Sequence, residues 1–277
     1  MSYDLMFTSR SEEGINRKAF ASYFRGRGNY ELGKDQAVYQ NEDTGVYFIF
    51  DAPEDGVVEF NLNYFRPHVF GLEAAPELEA FAEAMDAAAG DPQGEMPEDG
   101  TFSQDAFLKG WNDGNQFAFR AMLKDCSGPV HTWPATKIHS VWEWNYGRRV
   151  MQQQEGENVF VPGIFAVEQD GEVLSVAIWP PECAILMPEA DAVLVPLAQS
   201  GKESENLALV RWDEILPIVE LYAAGTDGQP RYRLAFEQWP ADIAAFLARQ
   251  RQPMSPINGI GLDQVLDLEL VQAACRS

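Results

Sequence analysis

The segment Val57-Val-Glu-Phe-Asn-Leu-Asn-Tyr64 decides the fold of the first half of the chain. Its apolar side chains recur at every second position, and Glu59, Asn61 and Asn63 fill the positions between them. Because successive side chains of a strand point to opposite faces, this period predicts a sheet with one buried face and one solvated face. Pro53-Glu-Asp-Gly56, directly before it, is typical of a turn from an earlier strand.

The neighbouring sequence extends this strand into a sheet and then into helices. Three further segments have the composition of strands: residues 3–7, 37–40 and 46–51. Residues 15–24 have helical spacing. Residues 72–89 are predicted to form one helix, with an apolar stripe on one side and with their carboxylates, Glu73 among them, on the surface.

The rest of the chain repeats this mixture of strands and helices. Ser103 is a candidate N-cap for a helix over residues 104–123. Further helices are predicted at residues 139–154, 240–250 and 262–274. Strands joined by the hairpin turn Gln169-Asp-Gly171 open the second half. This order predicts an α+β fold, with antiparallel sheets and helices packed on one face.

The length allows one large domain or two modest ones, since the chain has 277 residues. A polar segment at residues 152–158 is suited to a hinge. We therefore predict an N-terminal α+β half, residues 1–155, and a C-terminal α+β half, residues 156–277. One continuous domain is the alternative.

The charge of the chain is strongly negative, with 43 Asp and Glu against 20 Lys and Arg and a net charge of −23. Residues 67–108 contain ten acidic residues and no Lys or Arg, and residues 150–201 contain eight and again none. Such a field repels nucleic acid and anionic membrane and attracts basic proteins. The sequence also lacks the basic stripe that phosphate contacts need, so we expect neither nucleic acid nor membrane as a partner.

The chain carries no convincing catalytic or metal-binding motif. Its three cysteines are far apart, and its three histidines form neither HExxH nor HxH. The N-terminus lacks the pattern of a signal peptide, and the apolar runs are too short to span a bilayer. The expectation is a cytoplasmic protein without catalytic residues, metal or cofactor.

The alternative to a binding protein is an enzyme. A hydrolase would use carboxylates such as Glu143 or Asp113 together with His131 or His139. Asp113 lies in the segment Trp111-Asn-Asp-Gly-Asn115, whose polar residues are poor helix formers and favour a polar pocket or a helix break at the glycine.

Five short segments run from the N-terminus almost to the C-terminus: Met1-Ser-Tyr-Asp-Leu5, Asp43-Thr-Gly-Val-Tyr-Phe48, Asn63-Tyr-Phe-Arg-Pro67, Gly110-Trp-Asn-Asp-Gly-Asn115 and Asp263-Gln-Val-Leu266. Together they resemble a group of bacterial cytosolic proteins whose known or suspected role is immunity against polymorphic, contact-delivered or type VI secreted toxins, including Rhs-type toxins. The resemblance implies a protein that binds a cognate toxin domain and blocks it. It carries no functional residues over to this chain.

Combined with the charge, this resemblance predicts that an acidic surface binds a toxin effector domain that is itself basic. The predicted partner-binding residues are Asp91, Glu95, Glu98, Asp99, Glu182, Glu189 and Asp191. Within the first acidic stretch, residues 73–105 are the expected negative face. A third hypothesis, an adaptor or chaperone for a secreted effector, fits the same features.

Overall fold

A computed structural model describes residues 1–11, 14–124, 129–180, 183–196, 207–223, 231–235, 239–250 and 257–276. The chain forms two units, which we call unit 1, Met1–Ile138 with Asp263–Ser277, and unit 2, His139–Leu262. This division differs from the predicted halves 1–155 and 156–277. It differs because the C-terminal segment returns to pair with unit 1, and because Asn145 of the helix Ala135–Glu155 is hydrogen-bonded to a strand of unit 2.

Runs of strands and single helices follow one another along the described part of the chain. In chain order the strands are β1 Ser2–Ser9, β2 Tyr30–Leu32, β3 Gln36–Gln40, β4 Tyr47–Asp51, β5 Val57–Asn63, β6 Ala87–Gly90, β7 His131–Trp133, β8 Val159–Phe160, β9 Ile164–Gln169, β10 Glu172–Ile178, β11 Ala184–Pro188, β12 Ala192–Pro196, β13 Leu207–Arg211, β14 Arg231–Leu234, β15 Asn258–Ile260 and β16 Val265–Asp267. The helices are α1 Arg17–Phe24, α2 Val69–Ala84, α3 Gln104–Leu123, α4 Ala135–Glu155, α5 Trp212–Tyr222, α6 Ala241–Arg249 and α7 Leu268–Cys275. The sheets are mostly antiparallel, and the predicted α+β class is confirmed.

Unit 1 is built on a six-stranded sheet in the order β2-β3-β4-β5-β1-β6, in which every pair is antiparallel. The alternation predicted for β5 is confirmed: Val58, Phe60 and Leu62 are completely buried, whereas Glu59 and Asn63 are exposed. The buried face is therefore the one that the apolar period defines.

Helices α1, α2 and α3 pack against that buried face. Phe24 of α1 and Phe81 of α2 both contact the ring of Phe50 in β4, with centroids 5.1 and 4.9 Å apart. Phe107 of α3 reaches Phe60 of β5 at 6.2 Å. These aromatic contacts place all three helices on the same side of the sheet.

One predicted helix is wrong at its C-terminal end. Helix α2 stops at Ala84, and Ala87–Gly90, whose first three residues belong to the predicted helix 72–89, forms strand β6 beside β1. Asp86, with a φ of 44°, turns the chain between them. Alanine favours helices locally, but antiparallel pairing with β1 overrides that preference here.

The C-terminal segment of unit 1 also departs from prediction, since residues 262–274 do not form one helix. Val265–Asp267 pairs in parallel with β7, and only then does α7 begin. Leu266 and α7 pack on Phe119 of α3 in a small apolar cluster. The long-range pairing again decides the local structure.

Unit 2 contains a five-stranded sheet, β13-β12-β10-β9-β15, and a three-stranded sheet, β14-β11-β8. Its main core includes Trp179, Ile215 and Ile243, to which α5 and α6 contribute. Asn145 of α4, almost fully buried, donates to the carbonyl of Ile164 and accepts from its backbone N–H. These two hydrogen bonds attach α4 to the start of β9.

None of the helices in the described part of the chain is long and apolar enough to cross a membrane.

Raising the pH above about 10 is expected to unfold unit 1 cooperatively. Burial raises the pKa of Tyr23 and Tyr64 to about 12. Burial, reinforced by nearby carboxylates, raises the pKa of Tyr3, Tyr30 and Tyr39 further. The unfolded chain releases its tyrosine protons near pH 10, so the stabilisation that is present below about pH 10 is lost as the pH rises towards 12 and beyond.

The measurement is an alkaline titration that follows tyrosinate absorbance and far-ultraviolet circular dichroism together. The two signals should change in one steep transition. Gradual ionisation near pH 10 with unchanged circular dichroism would contradict the expectation.

Candidate protein-binding surface

The Asp91 carboxylate stabilises the loop after β6. It accepts the hydroxyl of Tyr3 at 2.7 Å and the backbone N–H groups of Gln93 and Glu95 at 2.7 and 2.9 Å. Burial, and then the hydrogen bond to Asp91, raise the pKa of Tyr3, so the phenol remains a donor. Asp91 thus makes several contacts within the loop, and its role in partner binding stays a prediction.

Glu95 is neutralised locally. Lys109 of α3 donates to it at 2.6 Å and lies 3.6 Å from Asp113, one helical turn further on. The hydrogen bond with Glu95 raises the pKa of Lys109. Lys109, the first base after the acidic stretch 67–108, therefore forms an ion pair with a residue of that stretch.

Glu98 and Asp99 are exposed, as a partner-binding role requires. The Asp99 carboxylate accepts the backbone N–H of Thr101 at 2.9 Å, and this hydrogen bond lowers the pKa of Asp99. Both residues lie in the polar loop between β6 and α3, so they are accessible negative charges.

In the second acidic stretch, Glu189 is exposed between β11 and β12. Asp191 accepts the backbone N–H and the hydroxyl of Ser175 at 2.7 and 2.9 Å, and these bonds connect it to β10. Glu182 lies outside the described residues. Among the predicted partner-binding residues that are described, the carboxylates of Glu98, Asp99 and Glu189 make the fewest contacts with other side chains and backbone groups.

The residues of the enzymatic alternative belong to different units, Asp113 and His131 to unit 1 and His139 and Glu143 to unit 2. Asp113 is exposed beside Lys109, and His131 lies in β7 opposite Val265. In unit 2, His139 and Glu143 are exposed on α4, one turn apart. Within the described ranges, no group of three or more His, Cys, Asp or Glu residues has an arrangement that could hold a metal ion.

The segment Trp111-Asn-Asp-Gly-Asn115 does not break its helix. Asn115, almost fully buried, accepts the backbone N–H of Phe65 at 2.7 Å and donates to the carbonyl of Arg66 at 2.8 Å. Phe65 has a φ of 61°, an unfavourable conformation for a bulky residue that these bonds stabilise. The polar residue expected to line a pocket instead holds the chain between β5 and α2.

Gly114 allows Tyr64 to lie directly on α3, because a Cβ at this position would overlap the hydroxyl and ring carbon of Tyr64. We expect Gly114→Ala to lower the free energy of unfolding by about 1–3 kcal/mol, even though alanine favours a helix by up to about 1 kcal/mol. Gly147→Ala in α4 is the matched control. There the added Cβ would lie 3.8 Å from Met151, an ordinary contact, so a gain of up to about 1 kcal/mol is expected.

Urea unfolding, followed by hydrogen exchange in each unit, measures both changes. Equal effects of the two substitutions would contradict the close packing of Tyr64 on Gly114.

A buried carboxylate in α2 was missed, because the helical period placed Glu73 on the surface. Glu73 is 1% exposed, and its Oε1 accepts from Tyr39 at 2.8 Å, Asn41 at 2.7 Å and Thr44 at 3.1 Å. The donors come from β3 and the following turn, more than 25 residues away along the chain. The turn Asn41-Glu-Asp-Thr-Gly45 offered the only sequence signal, as a polar segment able to supply donors.

A histidine–carboxylate pair was missed as well. Asp267 is 2% exposed and accepts the backbone N–H of His68 at 2.8 Å, and its second oxygen lies 2.5 Å from Nδ1 of the same histidine. His68 stands directly before the first turn of α2, so the carboxylate caps that helix. The pair is 199 residues apart in sequence, and no local pattern indicates it.

The second face of the six-stranded sheet, which we call the outer face, carries the side chains that alternate with the core. Its members are Ser2, Asp4, Met6, Thr8, Glu31, Gln36, Val38, Gln40, Tyr47, Ile49, Asp51, Val57, Glu59, Asn61, Asn63 and Ala88. The period of β5 predicted such a face, but the sequence did not show how many strands would contribute to it.

No protein-family model, curated protein or solved structure matches this chain. Fold and surface together define a two-unit α+β protein with exposed, uncompensated carboxylates, and function is inferred from that surface chemistry.

Proposed function

We propose that this chain is an immunity protein that binds a cognate toxin effector domain in the bacterial cytoplasm and neutralises it without catalysis. One observation carries the proposal. Several exposed carboxylates of the first acidic stretch form no ion pair with another described residue: Glu83, Asp86, Glu98 and Asp105. Uncompensated charge of this kind attracts a basic protein surface.

The sign of the charge selects among possible partners. Toxins that act on nucleic acids need basic surfaces to hold phosphates, and a negative inhibitor would compete for those surfaces. Charge complementarity accelerates encounter and sets specificity, whereas desolvated anchors supply much of the affinity. The resemblance to immunity proteins favours a toxin over other basic partners.

The hydrolase alternative has less support from the described residues. Asp113 lies within 3.6 Å of Lys109, and Glu143 is exposed. A catalytic acid of the predicted kind needs a carboxyl in an apolar pocket, which neither position provides.

The direct test is protection. The protein encoded by the reading frame next to this gene should be toxic when expressed alone, and co-expression of this chain should restore growth. The two proteins should also co-purify. Failure to protect cells, with both proteins expressed and folded, would contradict the proposed function.

Reversing two loop charges, as Glu98→Lys with Asp99→Lys, is expected to slow association with that protein about 3- to 10-fold at low salt. Long-range attraction contributes chiefly to the association rate, so the salt dependence of that rate should also weaken. Glu157→Lys with Glu220→Lys gives the same change of net charge at exposed positions of unit 2. Surface plasmon resonance at several salt concentrations measures the rates, and equal slowing by both pairs would argue against local steering.

A further inference from the structure

The outer face of the unit 1 sheet combines charge with a regular, ordered backbone. Glu31 lies opposite Val38, Asp51 opposite Gln36, and Glu59 opposite Met6 in the strand registers. Directly opposed side chains are nearest neighbours on a sheet, so none of these three carboxylates has a base at that position.

A fourth carboxylate completes the pattern. Asp4 lies opposite Asn61 and accepts a hydrogen bond from its amide, a neutral donor. The outer face thus carries four carboxylates, and its members as defined above include no Lys or Arg. The bases beside this face come from beyond strand ends: Arg10 after β1, Lys34 between β2 and β3, and Arg66 after β5. Arg66 donates to the hydroxyl of Tyr47 at 3.0 Å, at the end of β4 away from Asp51.

Apolar side chains interrupt the charge in the middle of the face. Val38 and Ile49 lie opposite one another on β3 and β4, and both are partly exposed. Met6 on β1 is 42% exposed. Apolar groups flanked by charges resemble a binding surface with a hydrophobic centre and a polar rim.

Helices α1, α2 and α3 leave this face uncovered, since they contact the sheet through Phe24, Phe81 and Phe107 on the buried side. An ordered antiparallel sheet also presents its side chains on a rigid frame. Such a surface needs little reorganisation to bind a partner.

We infer that this outer face is the contact surface for the partner, and that the partner presents a basic surface with a few apolar groups. This inference rests on the proposed function. A second copy of the chain is disfavoured as the occupant, because a two-fold contact would bring like carboxylates together. Nucleic acid is disfavoured by the same negative charge.

The two acidic surfaces of unit 1 are expected to have different kinetic roles. Charges of the loop after β6, such as Glu98 and Asp99, act at a distance and change mainly the association rate. Side chains of the outer face are desolvated in the complex, and their loss changes mainly the dissociation rate.

The test uses the full chain and, as the probe, a catalytically inactivated form of the protein encoded by the adjoining reading frame. The first variant is Asp51→Lys with Glu59→Lys, and the second is Ile49→Thr, which keeps a strand-forming residue. Each should weaken binding at least 10-fold with faster dissociation. The control, Glu98→Lys with Asp99→Lys, should leave the dissociation rate unchanged. Circular dichroism and urea unfolding establish that every variant is folded.

The outcomes separate the two proposals. If the wild-type chain does not bind the probe, the proposed function and this inference both fail. If it binds while folded outer-face variants bind equally well, only this inference fails. Hydrogen-exchange protection of β1, β3, β4 and β5 on binding would support it. Sedimentation showing a dimer of the free protein, dissociated by the outer-face substitutions, would overturn it in favour of self-association.

Discussion

Replacing Glu73 with alanine is expected to lower the free energy of unfolding of unit 1 by about 3–5 kcal/mol. The substitution removes the acceptor for three neutral donors, the side chains of Tyr39, Asn41 and Thr44. A buried polar group that loses its partner costs about 1–3 kcal/mol, and the cavity left by the side chain adds to the loss. Burial, followed by the charge of Glu73, raises the pKa of Tyr39, so its hydroxyl stays protonated and needs an acceptor.

Glu73→Gln is the informative control, because the glutamine keeps one acceptor oxygen and nearly the same volume. Its loss should be smaller than that of alanine by at least about 1 kcal/mol. Since the two units need not unfold together, the change is best measured by native-state hydrogen exchange of β3 and β5. Equal losses for alanine and glutamine would show that volume, and not the hydrogen bonds, accounts for the effect.

The second large effect is expected at Asp267. Asp267→Ala removes a buried carboxylate that caps α2 and holds the partly exposed His68. Loss of a helix cap costs about 0.5–2 kcal/mol, and a buried donor left unsatisfied costs about 1–3 kcal/mol. We therefore expect a total loss of about 2–4 kcal/mol, with the C-terminal segment released first.

Asp267→Asn tests the origin of that loss, because its amide oxygen still accepts the backbone N–H of His68. It should retain at least half of the stability that alanine removes. Asp113→Ala, at an exposed position, should change the stability by no more than about 0.5 kcal/mol. Hydrogen exchange of β16 relative to β5 gives the measurement. Unchanged exchange of β16 in Asp267→Ala would show that the strand pairing with β7 holds the segment without the carboxylate.

Local signals predicted the elements of the fold wherever those signals were complete. Helix α3 has the predicted bounds because Ser103 caps it and its own apolar period orients it. The strands that were missed include β2, β7 and β15 as well as β6 and β16, and these last two have no such local signal. Each is three or four residues long, adjoins a helix, and forms only because a distant strand pairs with it. Short strands of this kind depend on tertiary pairing more than on propensity.

The candidate surface was harder to predict than the fold. The excess of acid was visible in the sequence, but the environment of each carboxylate depends on distant donors. The Asp91 carboxylate accepts a hydrogen bond from Tyr3, and the Asp191 carboxylate accepts one from Ser175. Conversely, the period of β5 showed Glu59 to be a solvated residue, but its place on a face shared by six strands is seen only in the assembled sheet. Periodicity assigns a side chain to a face, and only the assembled sheet defines the surface.

The return of the C-terminal segment to unit 1 also has a consequence for the order of folding during synthesis. All of unit 2, His139–Leu262, leaves the ribosome before the segment that supplies β16 and α7 to unit 1. Domains generally fold as units, with the N-terminal one first. Here the N-terminal unit is the one completed last. During translation, β7 lacks its partner strand β16, and the surface of α3 lacks α7, until residues 263–276 have been synthesised.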